Sequence, residues 1–290
     1  MILRTLRDTA DDLADVQRIT TAAFAAPGAP PEPPPAPARQ ARLDALHRHF
    51  LRHDQDGSLI AYDASGALGA VVTSRRESVW GLSLLVVAPE AQGKGVGRAL
   101  LDRALAYGEG CARGIISGSL DPRAARAYWA AGFALYPAVR LEGALDPARL
   151  PVAGGPLYEG GDPDFLDAVD RQVRGGAHGP DHAELLRDCR LLTVDAADGR
   201  GYCFIDMSLP DKVELMGLSA TTEAVAARLL TAALRDVPAG RTVKISNVTA
   251  EQRWAVDIAL TARLQPEPGG YLCLRGMRPP VGFVPTGKYL

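Results

Sequence analysis

The chain has little with which to staple, cage or span. Four cysteines in 290 residues, Cys111, Cys189, Cys203 and Cys273, stand far apart. Without paired spacing they offer neither a disulfide framework nor a thiolate metal cage, and they read as reduced core thiols. No apolar run approaches the length of a membrane helix, and Met1–Asp8 is too charged for a secretory leader. A soluble, cytoplasmic protein with no membrane partner is therefore expected. Excess positive charge is also missing: 32 Lys and Arg stand against 34 Asp and Glu, with a pI near 6.2. A nucleic-acid surface would need a basic patch, so no nucleic-acid partner is expected. What is abundant is apolar side chain, 47% of residues, ample for two cores at this length.

The most informative stretch is Gln92-Gly93-Lys94-Gly95-Val96-Gly97-Arg98. It follows the apolar run Leu82–Val87, which reads as a buried strand, and precedes Ala99–Tyr107, whose apolar residues recur at helical spacing. A strand, a glycine-rich turn and a helix place free backbone N–H groups at a helix N-terminus. Such groups bind a phosphate or pyrophosphate, and glycines let the backbone approach it. The pattern is not a P-loop, because Lys94 is followed by Gly95 rather than Ser or Thr. Nor does Gly93, Gly95, Gly97 match the dinucleotide spacing Gly-x-Gly-x-x-Gly.

The stretch resembles motif A of the GCN5-related N-acetyltransferases (GNAT), Gln/Arg-x-x-Gly-x-Gly/Ala, matched by Gln92, Gly95 and Gly97. A second segment supports the resemblance. Gly114–Ser119 reads as a strand, and Asp121 to Phe133 follows with Asp121 suited to an N-cap, Pro122 to the first helical position and Gly132 to the stop. It is similar to the family's motif B, Asn-x6-Tyr before Gly-Phe, with Asp121 where Asn is usual. The resemblance implies acetyl-CoA as co-substrate, its pyrophosphate carried by Gln92, Gly93, Lys94, Gly95, Val96, Gly97 and Arg98. It also puts Val86, Val87, Asp121 and Arg126 among the cofactor-binding residues, and makes Tyr128 the general acid on the leaving thiolate. Asp121 removes the amide donor that Asn would supply.

The chain reads as two units. Strands are expected at 2–6, 57–62, 66–74, 80–87, 114–119 and 138–142, with helices at 10–24, 41–52, 99–107 and 122–131. Ala26–Pro37, with seven prolines, reads as a stiff exposed connection. Prolines and glycines from 147 to 156 mark a break. Beyond it helices are expected at 165–173, 183–188, 222–234 and 251–264, and strands at 191–196, 200–207, 213–218 and 242–247. From Val213 onward these elements follow their counterparts in the first unit by about 130 residues, which suggests an internal duplication. The expected fold class is α/β (α+β): two GNAT-like domains, each a mixed, mainly antiparallel central sheet flanked by helices. The expected division is 1–142 for the acetyl-CoA-binding domain, 143–157 for a linker and 158–290 for a degenerate copy.

The second copy lacks the cofactor chemistry. Ser219-Ala220-Thr221-Thr222-Glu223 offers no glycine turn, and the place of Tyr128 falls near Trp254 or Ala255. Asn247 echoes the motif, though an Asn capping a helix explains it equally. Asp170 to His182 is dense in polar residues and glycine. His178 and His182 are proton-transfer candidates there, yet a capped loop with solvated charges outweighs a site, and no metal is expected.

Acyl transfer needs a neutral amine, oxyanion donors and proximity. The family's oxyanion donors fall at Val86 to Ala88. No general base stands out: the place where relatives carry Glu holds Ser83 and Leu84, and Glu77, Glu142, His47, His49 and His53 read better as solvated residues. The reading is an N-acetyltransferase acting on a small-molecule amine. The alternatives are a non-catalytic acyl-CoA-binding sensor and an acetyltransferase acting on a protein amine.

Overall fold

The computed structural model describes residues 1–25, 37–209 and 212–290. The expectation for the proline-rich connection lies outside these residues except at Pro37, which opens a helix four residues earlier than the pattern predicts. Packing divides the chain into two compact units, one of residues 1–75 and 80–111, the other of residues 76–79 and 112–290.

The first unit carries strands β1 (Ile2–Thr5), β2 (Ser58–Asp63), β3 (Gly66–Arg76) and β4 (Val79–Val87), and helices α1 (Ala10–Phe24), α2 (Pro37–His53) and α3 (Val96–Tyr107). β1 runs antiparallel to β2, with Ile2 opposite Tyr62, and β2 antiparallel to β3, with Ser58 opposite Val72. Thr9 caps α1, its Oγ1 accepting from the Asp12 N–H. The Asp12 carboxylate in turn accepts from Arg4 and Arg7, tying the helix start to the first strand. Leu13, Val16 and Ile19 of α1, Ile60 of β2, Val71 of β3 and Leu100 of α3 are buried as the unit's core.

The second unit carries β5 (Arg113–Gly118), α4 (Pro122–Ala130), β6 (Ala134–Ala144), β7 (Tyr158–Glu159), α5 (Pro163–Val173), α6 (Pro180–Asp188), β8 (Arg190–Ala196) and β9 (Gly199–Asp206). β10 (Lys212–Ala220), α7 (Glu223–Arg235), β11 (Thr242–Val248), α8 (Arg253–Thr261), β12 (Gln265–Arg275) and β13 (Phe283–Val284) complete it. The strand order is β5-β12-β6-β11-β10-β9-β8-β7, with β13 on β10. β10 and β11 are parallel; the pairs β8·β9, β9·β10, β6·β11, β6·β12 and β5·β12 are antiparallel. The class is thus mixed α/β with a mainly antiparallel sheet flanked by helices, as expected.

β12 is the element that sequence patterning misses. Pro266, Pro268, Gly269 and Gly270 break its strand signal, yet it pairs with β6 along Gln265–Leu274. Its partner on the other side, β5, reaches only Tyr271–Arg275. The two prolines therefore lie where β12 is not bonded by β5, the position in which a strand tolerates a missing N–H. Gly270, at φ 91°, leaves no room for a Cβ, which would stand 2.1 Å from the Gly118 carbonyl oxygen.

The same pairing bears on the repeat. α8 and β12 begin 131 residues after α4 and β6 and match them in length, nine and eleven residues. β6 lies between β12 and β11, while β12 lies between β5 and β6. β6 and β12 thus each lie beside a strand from the other half of the sequence. The packing units meet at Cys111/Ala112, and β6 stays with the later strands because they bond it on both edges.

Glu214 of β10 reads out this packing by pH. Lys244 donates to its Oε1 at 2.9 Å and Lys288 to its Oε2 at 3.3 Å. Burial raises the carboxyl, but the two lysines outweigh it and bring it down to about 2. The folded value lies below the unfolded one, so the contribution is whole above about pH 4.5 and is lost as pH falls toward 2; at neutral pH it is worth up to about 3 kcal/mol. Glu214→Gln is expected to lower the urea midpoint at pH 7, with the gap to the wild type narrowing below about pH 4.5 and closing only near pH 2.

Candidate functional site

In the first unit, β4 ends at Val87 and a short turn, Pro89–Ala91, leads to Gln92. Gln92 donates its Nε2 to the Val87 carbonyl at 3.1 Å, which folds the turn back on its strand. Gly93 and Gly95 follow at φ 75° and 83°, left-handed conformations that favour glycine. Gly95 is the N-cap of α3, and no side chain caps the helix. The N–H groups of Val96, Gly97 and Arg98 therefore have no acceptor within the helix. A Cβ at Gly93 or Gly95 would meet nothing within 4 Å, whereas one at Gly97 would stand 3.3 Å from Val87 Cγ2. The outer face of the turn is open and its inner face is packed. Lys94 is exposed, and the Arg98 side chain is held by Asp102 at 2.8 Å, leaving its backbone N–H for a ligand. These seven residues form a cradle suited to a pyrophosphate.

Val86 and Val87 sit at the end of β4. The Ala88 N–H donates to the Leu68 carbonyl at 2.8 Å, so it is committed to β3. By strand alternation the Val87 N–H points away from β3.

In the second unit, Asp121 caps α4, accepting from the Arg123 N–H at 2.8 Å. The Arg123 guanidinium also pairs with it and holds its carboxyl below the usual range. Asp121 thus keeps the capping role of the usual Asn but spends its charge on Arg123. Arg126 is exposed on the same helix. Tyr128 is 5% exposed, its ring 3.4 Å from where a Cβ on Gly118 would stand. Burial, with Cys273 and Asp121 adding to it, raises the phenol well above its ordinary value. Tyr128 therefore keeps its proton, the state that an acid requires.

Cys273, which sequence reading left as a scattered thiol, lies on β12 beside Gly118, and burial pushes its thiol up to about 12. Ser117 donates to Asn247 Oδ1 at 2.7 Å, and Asn247 Nδ2 donates to the Pro285 carbonyl at 3.1 Å. Asn247 is therefore a cross-link between strands rather than a helix cap; Thr249 and Gln252 form the capping box instead. Only the long-range pairing of β5 with β12 could have revealed these neighbours.

The base candidates fare differently from expectation. His47 and His49 are buried rather than solvated, and burial lowers the His47 imidazole. His53 is exposed. Glu77 is held by Arg171 at 2.8 Å and by the Ala177 N–H at 3.0 Å, and Glu142 by Arg140 and Lys212. Both glutamates are engaged as structural partners. In the later copy, Thr222 caps α7 by accepting from the Val225 N–H. α8 begins 131 residues after α4, and the same offset from Tyr128 falls at Ala259.

The stretch from Asp170 to His182 also departs from expectation. Apart from the exposed Arg171 its charges are not solvated: Asp170, Arg174, His178, Asp181 and His182 are all buried. Burial raises the Asp170 carboxyl, but His178, His182 and Arg174 together outweigh it and hold it well below the usual range.

Residues 52–135 match the family model described as an acetyltransferase (GNAT) domain. No curated protein matches the sequence. Among solved structures, a candidate acetyltransferase from Pyrococcus horikoshii is similar at TM-score 0.73 and 17% identity, covering 100% of this chain and 95% of that one. A GCN5-related N-acetyltransferase from Sphaerobacter thermophilus is similar at TM-score 0.58 and 14% identity, with 98% of both chains covered. A tandem GNAT protein from the clavulanic acid biosynthesis pathway is similar at TM-score 0.55 and 16% identity, covering 94% of this chain and 97% of that one. Residues 52–135 are thus similar to a GNAT domain, and the chain as a whole shares the fold of these structures. No helix among the described residues is long and apolar enough to cross a membrane.

Proposed function

We propose that this protein transfers an acetyl group from acetyl-CoA to the amine of a small molecule, by direct attack in a ternary complex. The observation that carries the reading is the uncapped N-terminus of α3 behind two left-handed glycines. That turn fits a pyrophosphate and has no packing role on its outer face. Acetyl-CoA supplies the acyl thioester. Val96, Gly97 and Arg98 would hold the pyrophosphate through backbone N–H groups, with Gln92, Gly93, Lys94 and Gly95 shaping the turn. The Val87 N–H would stabilise the oxyanion, with Val86 fixing the strand end, and Asp121 and Arg126 would contact the cofactor from α4. Tyr128 would hold the proton that the departing thiolate takes.

The domain division of 1–142, 143–157 and 158–290 is part of the proposal. So is the degeneracy of the later copy, supported by Thr221-Thr222 in place of glycine and by Ala259 in place of tyrosine. A cytoplasmic setting accords with the co-substrate. The sensor reading has one observation in its favour: Ser83 and Leu84 stand where a carboxylate base would be.

Tyr128→Phe separates the two. An enzyme is expected to lose turnover about 10²-fold, near the lower end of what a general acid supplies, with acetyl-CoA affinity within about twofold of the wild type. Thiol release against an amine panel, run beside calorimetric titration, checks both. Absence of thiol release from the wild type with any amine would favour the sensor.

A further inference from the structure

Four side chains of the second unit bring donor atoms to one buried point. Asp170 comes from the last turn of α5, His178 from the loop that follows, His182 from the first turn of α6 and Tyr202 from β9. Asp170 Oδ2 is 2.6 Å from His178 Nδ1 and 3.1 Å from His182 Nε2. The Tyr202 hydroxyl is 2.6 Å from Asp170 Oδ1, 3.3 Å from His182 Nε2 and 3.4 Å from His178 Nδ1. Tetrahedral ligands about 2.0–2.1 Å from a zinc ion stand about 3.3 Å apart, so most of these spacings are those of a coordination shell. Asp170, His178 and His182 are all buried, and their ligand atoms lie within 4.8 Å of one another.

We infer that Asp170, His178 and His182 bind a divalent transition cation of zinc type, with the Tyr202 oxygen at the fourth vertex. A further observation supports a cation there. His182 faces a carboxylate oxygen with each ring nitrogen, Nε2 toward Asp170 and Nδ1 toward Asp167, both at 3.1 Å. A neutral imidazole has one N–H, so one lone pair would oppose a carboxylate. A metal on Nε2 removes that conflict and leaves the Nδ1 proton for Asp167, the carboxylate–histidine–metal arrangement that orients ligating histidines. Without it, Nδ1 is buried and makes no aligned hydrogen bond.

Two buried carboxylates, Asp170 and Asp181, face two buried guanidiniums, Arg76 and Arg174, while Asp167 is part-exposed with Arg171 3.9 Å away. Arg174 is fully buried with no hydrogen-bond acceptor for its three side-chain nitrogens among the described residues. It balances Asp170 by field alone; Asp170 Oδ2 accepts from the His178 backbone N–H at 3.1 Å, which leaves its second lone pair for a ligand. The donor set of two imidazoles and oxygen suits zinc or cobalt rather than calcium or magnesium. With all four groups buried the site is closed, and its role is structural: it pins the 174–182 loop to α5 and β9.

The test uses the full-length protein, stripped with a chelator and titrated with Co²⁺. One equivalent is expected to give the intense visible bands of a four-coordinate ion. Zn²⁺ at a hundredfold excess over its Kd is expected to raise Tm by about 5 °C or more. His182→Gln should lose the bands, and Tyr202→Phe should keep the metal with an altered spectrum. Only the weak spectrum of hydrated cobalt, with Tm unmoved by Zn²⁺, would overturn the proposal and leave a hydrogen-bonded network. Binding that survives in His182→Gln would overturn it too, as surface adsorption. Should that variant fail to fold, the wild-type titration still decides.

Discussion

Gly95→Glu is expected to abolish acetyl-CoA binding while the protein stays folded. Two effects act at this position, and they differ in size. Gly95 adopts φ 83°, which costs a side chain about 1–2 kcal/mol. No steric clash adds to it, since a Cβ there would meet nothing within 4 Å. A carboxylate at the start of α3 also interacts favourably with the helix dipole and offsets part of that strain. Fold stability should therefore fall by no more than about 1–2 kcal/mol. Binding is another matter, because the same carboxylate would compete with the pyrophosphate for the N–H groups of Val96, Gly97 and Arg98. A loss of at least about 100-fold in affinity, near 2.7 kcal/mol, is expected. Gly95→Ala isolates the strain and should weaken binding about tenfold or less. Calorimetry on the three proteins, with urea unfolding beside it, checks both effects. Equal affinity in wild type and Gly95→Glu would remove the cradle from the account. A second site per chain would remove the degeneracy of the later copy.

This cradle was legible in the sequence because everything it needs is local. A strand end, three spaced glycines and the start of a helix lie within a dozen residues, and local rules fix their geometry. The same holds for α4, where Asp121, Pro122 and Gly132 mark both ends. The fold class followed from such elements and from the resemblance that they carry. What could not be read depended on partners distant in the chain. β12 hides behind Pro266 and Pro268, and its place beside β5 and β6 is set by tertiary pairing that no propensity encodes. Asn247 echoed a motif, yet its partners Ser117 and Pro285 lie 130 and 38 residues away. The stretch from Asp170 to His182 misled in the opposite direction. A run rich in charge and glycine reads as solvated, and only the partner Arg76, 105 residues from Asp181, reveals that it is interior.

That partner carries the largest expected effect on stability. Arg76 donates Nε to Asp181 Oδ2 at 3.0 Å and Nη2 to Oδ1 at 2.7 Å, a two-pronged pair. The arginine is 5% exposed and the aspartate is fully buried. Neighbouring bonds close the same seam: Ser78 Oγ donates to the Gly175 carbonyl at 2.9 Å, as does Arg113 Nη1 at 3.1 Å. Glu77, at φ 51°, accepts from the Ala177 N–H. The turn at 76–79 is thus held to the 174–181 loop at three points, with Arg113 of β5 adding a fourth contact, and the ion pair is the one with no access to water. Removing one member strands a buried charge, so Arg76→Met is expected to cost about 3–5 kcal/mol. The double variant Arg76→Met/Asp181→Leu should recover part of that loss, since two apolar groups leave no charge to strand. Urea unfolding at pH 7 measures both, and salt distinguishes the cause. A screened surface pair would weaken between low and physiological ionic strength, whereas this buried one should hold its full effect. A single variant within 1 kcal/mol of the wild type would mean that water reaches the pair and that the seam is not closed.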